Sequence, residues 1–384
     1  MKNLFLIAIL LSGIVVKSQT YPSYGQEIDV TINGLSFDAM EPFVSPDGST
    51  LFFNNLNSGG NTKLFYATKI NDSTFNYVGE LNGTNQLIPP YLDGVADLDS
   101  LDNFYWTSTR NYGAELETLF HGNYSNGNVT NIGRVHGDFN KNIPGWLVMD
   151  HGVSNSGDYL VFINARFATN QCQGGPCETE MGMALKVNDS TFNKVINSAS
   201  LMQNVNDTNF IYYAPCLSSD ELELYYTRYA RDSVTLNTSF EICVAIRNTS
   251  TAAFSVPMVL FSETFADLIE APTLTFDKQI IYYHRKIIGS HKIVMRYRDN
   301  TVGLNSVVNS QSSLIIYPNP ASDMLNIQMP REYINESIQI YNSLGYLVKR
   351  VKLSQSNSID IKGLPNGIYF LRLDNQYYGK FIKE

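Results

Sequence analysis

Residues 41–53 read EPFVSPDGSTLFF. A proline, a short apolar stretch, a Ser-Pro-Asp-Gly turn and an apolar-aromatic run together mark a strand, a tight turn and a second strand. The chain writes this unit five times. The further copies are VADLDSLDNFYWTSTR at 95–110, DHGVSNSGDYLVFINAR at 150–166, APCLSSDELELYYTR at 214–228 and APTLTFDKQIIYYHR at 271–285. Anchored on Pro42, Ala96, His151, Pro215 and Pro272, the copies stand 54, 55, 64 and 57 residues apart.

Between anchors a second strand-turn-strand pattern recurs, as in LFYATKINDSTFNYVGEL at 64–81 and ALKVNDSTFNKVI at 184–196. Four strands per unit is the arithmetic of a propeller blade, whose sheet is covered on both faces by its neighbours. The sequence therefore predicts an all-β protein with a five-bladed β-propeller over 19–299, or a six-bladed one if 167–213 hides a degenerate blade. The fifth unit shows only three strands. The segment EIDVTINGL at 27–35 alternates like a strand and is expected to complete the last blade, closing the ring and removing an open edge.

Composition agrees with this reading. There are 24 Tyr and 21 Phe among 384 residues, and strand-favouring residues lie between polar turns. The N-terminus MKNLFLIAILLSGIVVKSQT has one early lysine, an apolar core over 4–16 and a small residue, Ser18, at a plausible cleavage point. It reads as a secretory signal over 1–18, since the apolar run is shorter than the ~18–20 residues of a membrane span. No other segment is expected to cross a membrane.

Residues 19–313 hold 17 basic and 30 acidic residues, net −13, whereas 314–384 hold 8 and 6, net +2. Such an acidic body repels phosphate backbones and excludes nucleic acid as a natural partner. The four cysteines are Cys172, Cys177, Cys216 and Cys243. In an exported protein they suggest disulfides or free thiols rather than a metal site, with 172–177 and 216–243 the natural pairings if they bond. Their spacing is not that of a zinc site. The five histidines likewise show no metal-binding spacing, and neither metal nor cofactor is expected.

The repeats resemble TolB-type propeller repeats, whose turn reads Ser-Pro-Asp-Gly and whose second strand ends in Arg. Here these features are SPDG at 45–48 and Arg110, Arg166, Arg228 and Arg285. The repeated Asp and Arg are expected to serve turns and strand ties. After a polar linker at 300–313, residues 314–384 carry seven short predicted strands, an Ig-like β-sandwich. This segment resembles the type A C-terminal sorting domain of the type IX secretion system of Bacteroidetes. The matching residues include Tyr317-Pro318-Asn319-Pro320, Gly345, Gly367 and Lys380. The resemblance implies recognition by the type IX machinery and export across the outer membrane, to the cell surface or beyond.

Propellers bind ligands where their innermost strands begin. The residues there are Asp38 and Glu41, Asp93 and Asp97, Asp150, Tyr212 and Tyr213, and Glu270. One reading is a funnel that binds a polysaccharide or a surface protein without turnover. The alternative is glycoside hydrolysis, since an inverting enzyme needs a base and an acid roughly 6.5–9.5 Å apart. Five-bladed arabinanase- and xylosidase-type glycosidases carry their acid in a Glu-Gly-Pro-like stretch, which Glu270-Ala271-Pro272 loosely resembles. Their base is an Asp before Pro, where this chain has Glu41-Pro42. On that resemblance Glu41 would be the base, Glu270 the acid, and Asp150 or Asp97 the group that tunes it.

Overall fold

A computed structural model describes residues 20–56, 61–89, 91–167, 175–231, 237–299, 315–328, 337–342, 347–352, 358–373 and 377–384. The expected signal segment, the linker 300–313, Cys172 and Gly345 lie outside these residues. The chain divides into two compact units, Met1–Asp299 and Asn300–Glu384.

The described residues of the first unit form five sheets. Each begins with an inner strand: Met40–Val44, Tyr91–Leu98, Trp146–Val153, Phe210–Leu217 and Ile269–Leu274. Each inner strand touches the next, and the fifth touches the first, so the ring closes. Radial repetition of small antiparallel sheets about an axis is the β-propeller arrangement.

The second strands explain the aliphatic-aromatic-aromatic runs. In Thr50–Asn54 every residue is buried. Leu51 and Phe53 pack toward the fifth sheet with Tyr282 and Met295, while Phe52 packs toward the second with Phe104 and Trp106. Alternate residues of a strand face opposite sides, and here both sides are covered, so the run must be apolar throughout. The fourth sheet repeats the device, with Leu224 and Tyr226 facing the third sheet and Tyr225 facing the fifth.

Closure is shared between two sheets. Ile28–Asp29 pairs antiparallel with Ser290–Tyr297 of the fifth sheet. Thr31–Asn33 instead pairs parallel with Thr74–Glu80 of the first. The segment expected to belong to one sheet thus bridges both. Glu27 fixes the seam, because its carboxylate accepts from Arg285 at 2.8 and 2.9 Å.

The anchor prolines sit at β-bulges. Residues 41–42, 95–96, 214–215 and 271–272 each present two residues to one on the second strand. Glu41, Val95, Ala214 and Ala271 take left-handed backbone there (φ 50, 58, 48 and 54°). Proline has no amide to lose from the ladder at such a point. The third sheet has His151 where three of the others have proline; it keeps Asp150 and His151 in register and places its irregularity at Met149.

The described residues of the C-terminal unit form seven strands in two sheets. Ile315–Tyr317, Met324–Gln328 and Ser358–Asp360 form one, and Leu347–Lys352, Ser337–Asn342, Gly367–Leu373 and Tyr377–Lys383 form the other. They enclose a core that includes Leu325, Ile338, Ile359, Leu371 and Phe381. The Tyr317–Pro320 motif clamps the last strand: the Asn319 amide donates to the Lys380 carbonyl at 3.1 Å and accepts from the Ile382 amide at 2.9 Å.

Candidate functional site

The inner strands bring three carboxyl groups together at the channel. Glu270 is 8% exposed. One of its oxygens accepts from the Tyr213 hydroxyl at 2.6 Å, and the other lies 2.9 Å from His284 Nδ1. Fully buried His284 in turn meets His291 Nδ1 through its Nε2. Burial works to raise the Glu270 carboxyl, but the His284 contact and the Tyr213 hydroxyl hold it below the usual carboxylate range.

Asp150, 5% exposed, moves the other way. Burial first, then the charge of Glu41, raises its carboxyl well above the ordinary value; the Ala214 amide opposes and Glu270 adds to the rise. The site therefore drives two neighbouring carboxyls in opposite directions, Asp150 up and Glu270 down. Glu41 is half-buried, making it the most accessible of the three.

The channel cavity beneath them measures about 80 Å³ and is lined by Glu41, Asp97, Asp150, His151, Cys216 and Thr273 among others. That is well below the ~300–1,000 Å³ of ordinary small-molecule pockets. Burial lowers His151 to about 3, so its imidazole is neutral.

The remaining sequence candidates separate clearly. Asp97 accepts from the amides of Val153 at 2.6 Å and Leu98 at 2.7 Å, stapling the second sheet to the third. Burial pushes it up to about 7. Asp93 is fully buried against Arg110 at 2.8 Å and the Gln86 amide at 2.8 Å. Asp38 accepts from Ser290 Oγ at 2.9 Å. Tyr212 packs against Tyr226 in the core between the third and fourth sheets, so it belongs to that core and not to the funnel. Its neighbour Tyr213 reaches Glu270 instead.

The turn aspartates and strand-end arginines are structural in geometry. Asp47, Asp220 and Asp277 each accept from a turn amide two residues on. Arg166 pairs with Glu178 at 2.5 Å and Arg228 with Glu241 at 2.7 Å.

Cys177 is disulfide-bonded, but Cys216 and Cys243 are free thiols, which corrects the 216–243 pairing. They face opposite sides of the fourth sheet: Cys243 lies in the core toward the third sheet, Cys216 in that toward the fifth. Among the described residues no group of three or more His, Cys, Asp or Glu is placed to hold a metal ion.

The His284–His291 pair went unread in the sequence. Its signal was the hairpin HRKIIGSH at 284–291. Arg285 faces Lys292 and Lys286 faces His291 across the turn, which makes the two histidines diagonal neighbours.

Residues 315–384 match the family described as the secretion system C-terminal sorting domain. That domain marks the protein for type IX export to the cell surface or the extracellular space. Among the described residues no helix is long and apolar enough to cross a membrane. A beta-agarase A of Zobellia galactanivorans is 37% identical over 67 residues, covering 17% of this chain and 12% of that protein, so the chain spans only a small part of its curated relative.

Solved structures of similar shape include a family 117 glycoside hydrolase from Zobellia galactanivorans (TM-score 0.43, 9% identity, 74% of this chain and 92% of that one). An endo-arabinase from Bacteroides thetaiotaomicron (0.41, 13%, 70% and 96%) and TolB from Acinetobacter baumannii (0.36, 11%, 68% and 55%) are also similar. These likenesses are distant and do not bear on activity.

Proposed function

We propose that the protein is an exported five-bladed β-propeller of TolB-like repeats that binds carbohydrate at the channel mouth without cleaving it. On this reading the signal is removed after Ser18, and the C-terminal strands form an Ig-like sandwich read by the type IX machinery. One observation carries the binding reading: the carboxyls a hydrolase would use are held by the scaffold. Glu270 is held below the usual carboxylate range and bound by Tyr213 and His284, which suits neither proton donation nor approach of a glycosidic oxygen. The channel cavity of about 80 Å³ is lined by Glu41 and Asp150 but not by Glu270, and it is well below the roughly 300–1,000 Å³ of ordinary ligand pockets. This reading assigns ligand contact to half-buried Glu41 and to half-buried Trp146, which opens the third inner strand and carries Lys141 Nζ 4.3 Å from its ring centroid. Carboxylates accept hydroxyl hydrogen bonds, and an indole stacks on a pyranose face.

The test is retention on immobilised polysaccharides, comparing the mature protein with Glu41→Gln. Retention of the wild type on at least one glycan, weakened roughly tenfold in the variant, supports the reading; the factor corresponds to one charge-assisted hydrogen bond of about 1.4 kcal/mol. Equal retention of the two proteins contradicts it.

A second reading rests on Asp150. A carboxyl raised well above the ordinary value by burial and by the charge of Glu41 suits an acid, and a hydrolase would use Asp150 as donor. Reducing ends released by the wild type and abolished in Asp150→Asn, with binding kept, would favour this reading over the first.

A further inference from the structure

Toward the opposite end the channel adjoins a cleft of about 390 Å³, which shares Pro46, Leu98, Asn155 and Phe276 with the channel cavity but is lined by none of Glu41, Asp150 and Glu270. It is walled by four of the turns that join first to second strands, and three of the five turns share one plan. Their first and third positions maintain the turn: Ser45 donates to Asp47, Ser218 to Asp220 and Thr275 to Asp277, at 2.5 to 2.6 Å. The second position is not used in this way. Around the ring it is Pro46, Ser100, Asn155, Ser219 and Phe276. Phe276 is 55% exposed, an apolar ring left in water on a tight turn.

The cleft is built and rigid. Fully buried Asp99 is fixed by the amides of Leu101 and Asn103 at 2.9 Å each and by the Asn103 side chain at 2.7 Å. The Ser100 amide donates to the Asn155 carbonyl of the next sheet at 2.9 Å. Gly157 comes so close that a Cβ there would lie 2.4 Å from an Asp99 oxygen. Binding to such a surface carries little ordering cost.

The lining defines the ligand. Asp102 and Asn155 offer hydroxyl-binding groups, and Tyr124 and Phe276 offer aromatic surface, while no lysine or arginine lines the cleft. The volume lies in the range that holds a small ligand. Carboxylates without a cation repel sulfate and uronate groups. We propose that this turn face is a second binding site, specific for a neutral oligosaccharide, with Phe276 as the stacking platform. It stands independently of the channel-mouth reading.

The experiment is hydrogen–deuterium exchange of the full mature protein with neutral oligosaccharides (glucan, galactan, arabinan and mannan hexamers), and with a sulfated galactan and an oligouronate. At least one neutral hexamer is expected to slow exchange several-fold in peptides spanning 97–104 and 274–281, and the anionic glycans to leave them unchanged. Phe276→Ala, an exposed side chain whose loss leaves the fold intact, removes that protection. Glu41→Gln, at the other end of the channel, does not. The proposal is overturned if no neutral hexamer protects these turns, if the anionic glycans protect them as well, or if Phe276→Ala leaves protection intact.

Discussion

Asp150 and Glu270 are carboxyls on inner strands of the same ring, yet their environments drive them apart. For Asp150, burial and the charge of Glu41 raise the folded-state value above the unfolded value near 3.9. Such a group contributes stability below the unfolded value and loses it as pH rises through the folded one. Asp97, pushed up to about 7, acts in the same direction between about pH 4 and 7, with a contribution of order 4 kcal/mol. Glu270 has the opposite sign, because its depressed carboxyl stabilises above the unfolded value and is lost only in acid. Asp150→Asn, which mimics the neutral form, is therefore expected to flatten the fall of stability above pH 4, measured by urea unfolding across pH. Glu270→Gln leaves that limb in place and removes stability at neutral pH.

At the scale of the strand, the bulges set which side chains meet. Val95 is β-branched and held at φ 58°, a conformation that strains such a residue by ~1–3 kcal/mol. Val95→Gly is predicted to stabilise the protein by up to about 1 kcal/mol, less the added entropy of the unfolded chain. Phe52→Ala, at the packed seam of the first and second sheets, is predicted to cost ~3–5 kcal/mol. Chemical denaturation checks both.

The same bulges mark the limit of what the sequence reveals. The anchors and the LFF-type runs were legible because burial on both faces forces them to be apolar and repeated. Tyr212 and Tyr213 were not separable, since only the bulge after them decides which one faces the channel. The division of 27–35 between two sheets turns on Val30, whose amide still bonds Ile293 before the chain crosses over. Cys216 and Cys243 looked like partners until the register placed them on opposite faces.

The first unit is a closed ring whose seam is formed by residues 24–33. Tyr24 meets the Tyr225 hydroxyl at 2.9 Å, and Lys292 pairs with Asp29 at 2.6 Å. Removing residues 20–29 from the mature chain exposes the strand Ser290–Tyr297 as an edge. It is expected to broaden and lower the thermal transition in calorimetry, with aggregation on heating. A closed ring also explains why its chemistry is confined to the two ends of the axis. One end gathers Glu41, Asp150 and Glu270, and the other displays Phe276 among carboxylates. The most direct measurement incubates the purified mature protein with a panel of plant, algal and bacterial polysaccharides and follows retention and released reducing ends in the same samples. Retention on a glycan with no reducing ends released is the result predicted here. Reducing ends that accumulate with time and vanish in Asp150→Asn would contradict it and make the propeller an enzyme.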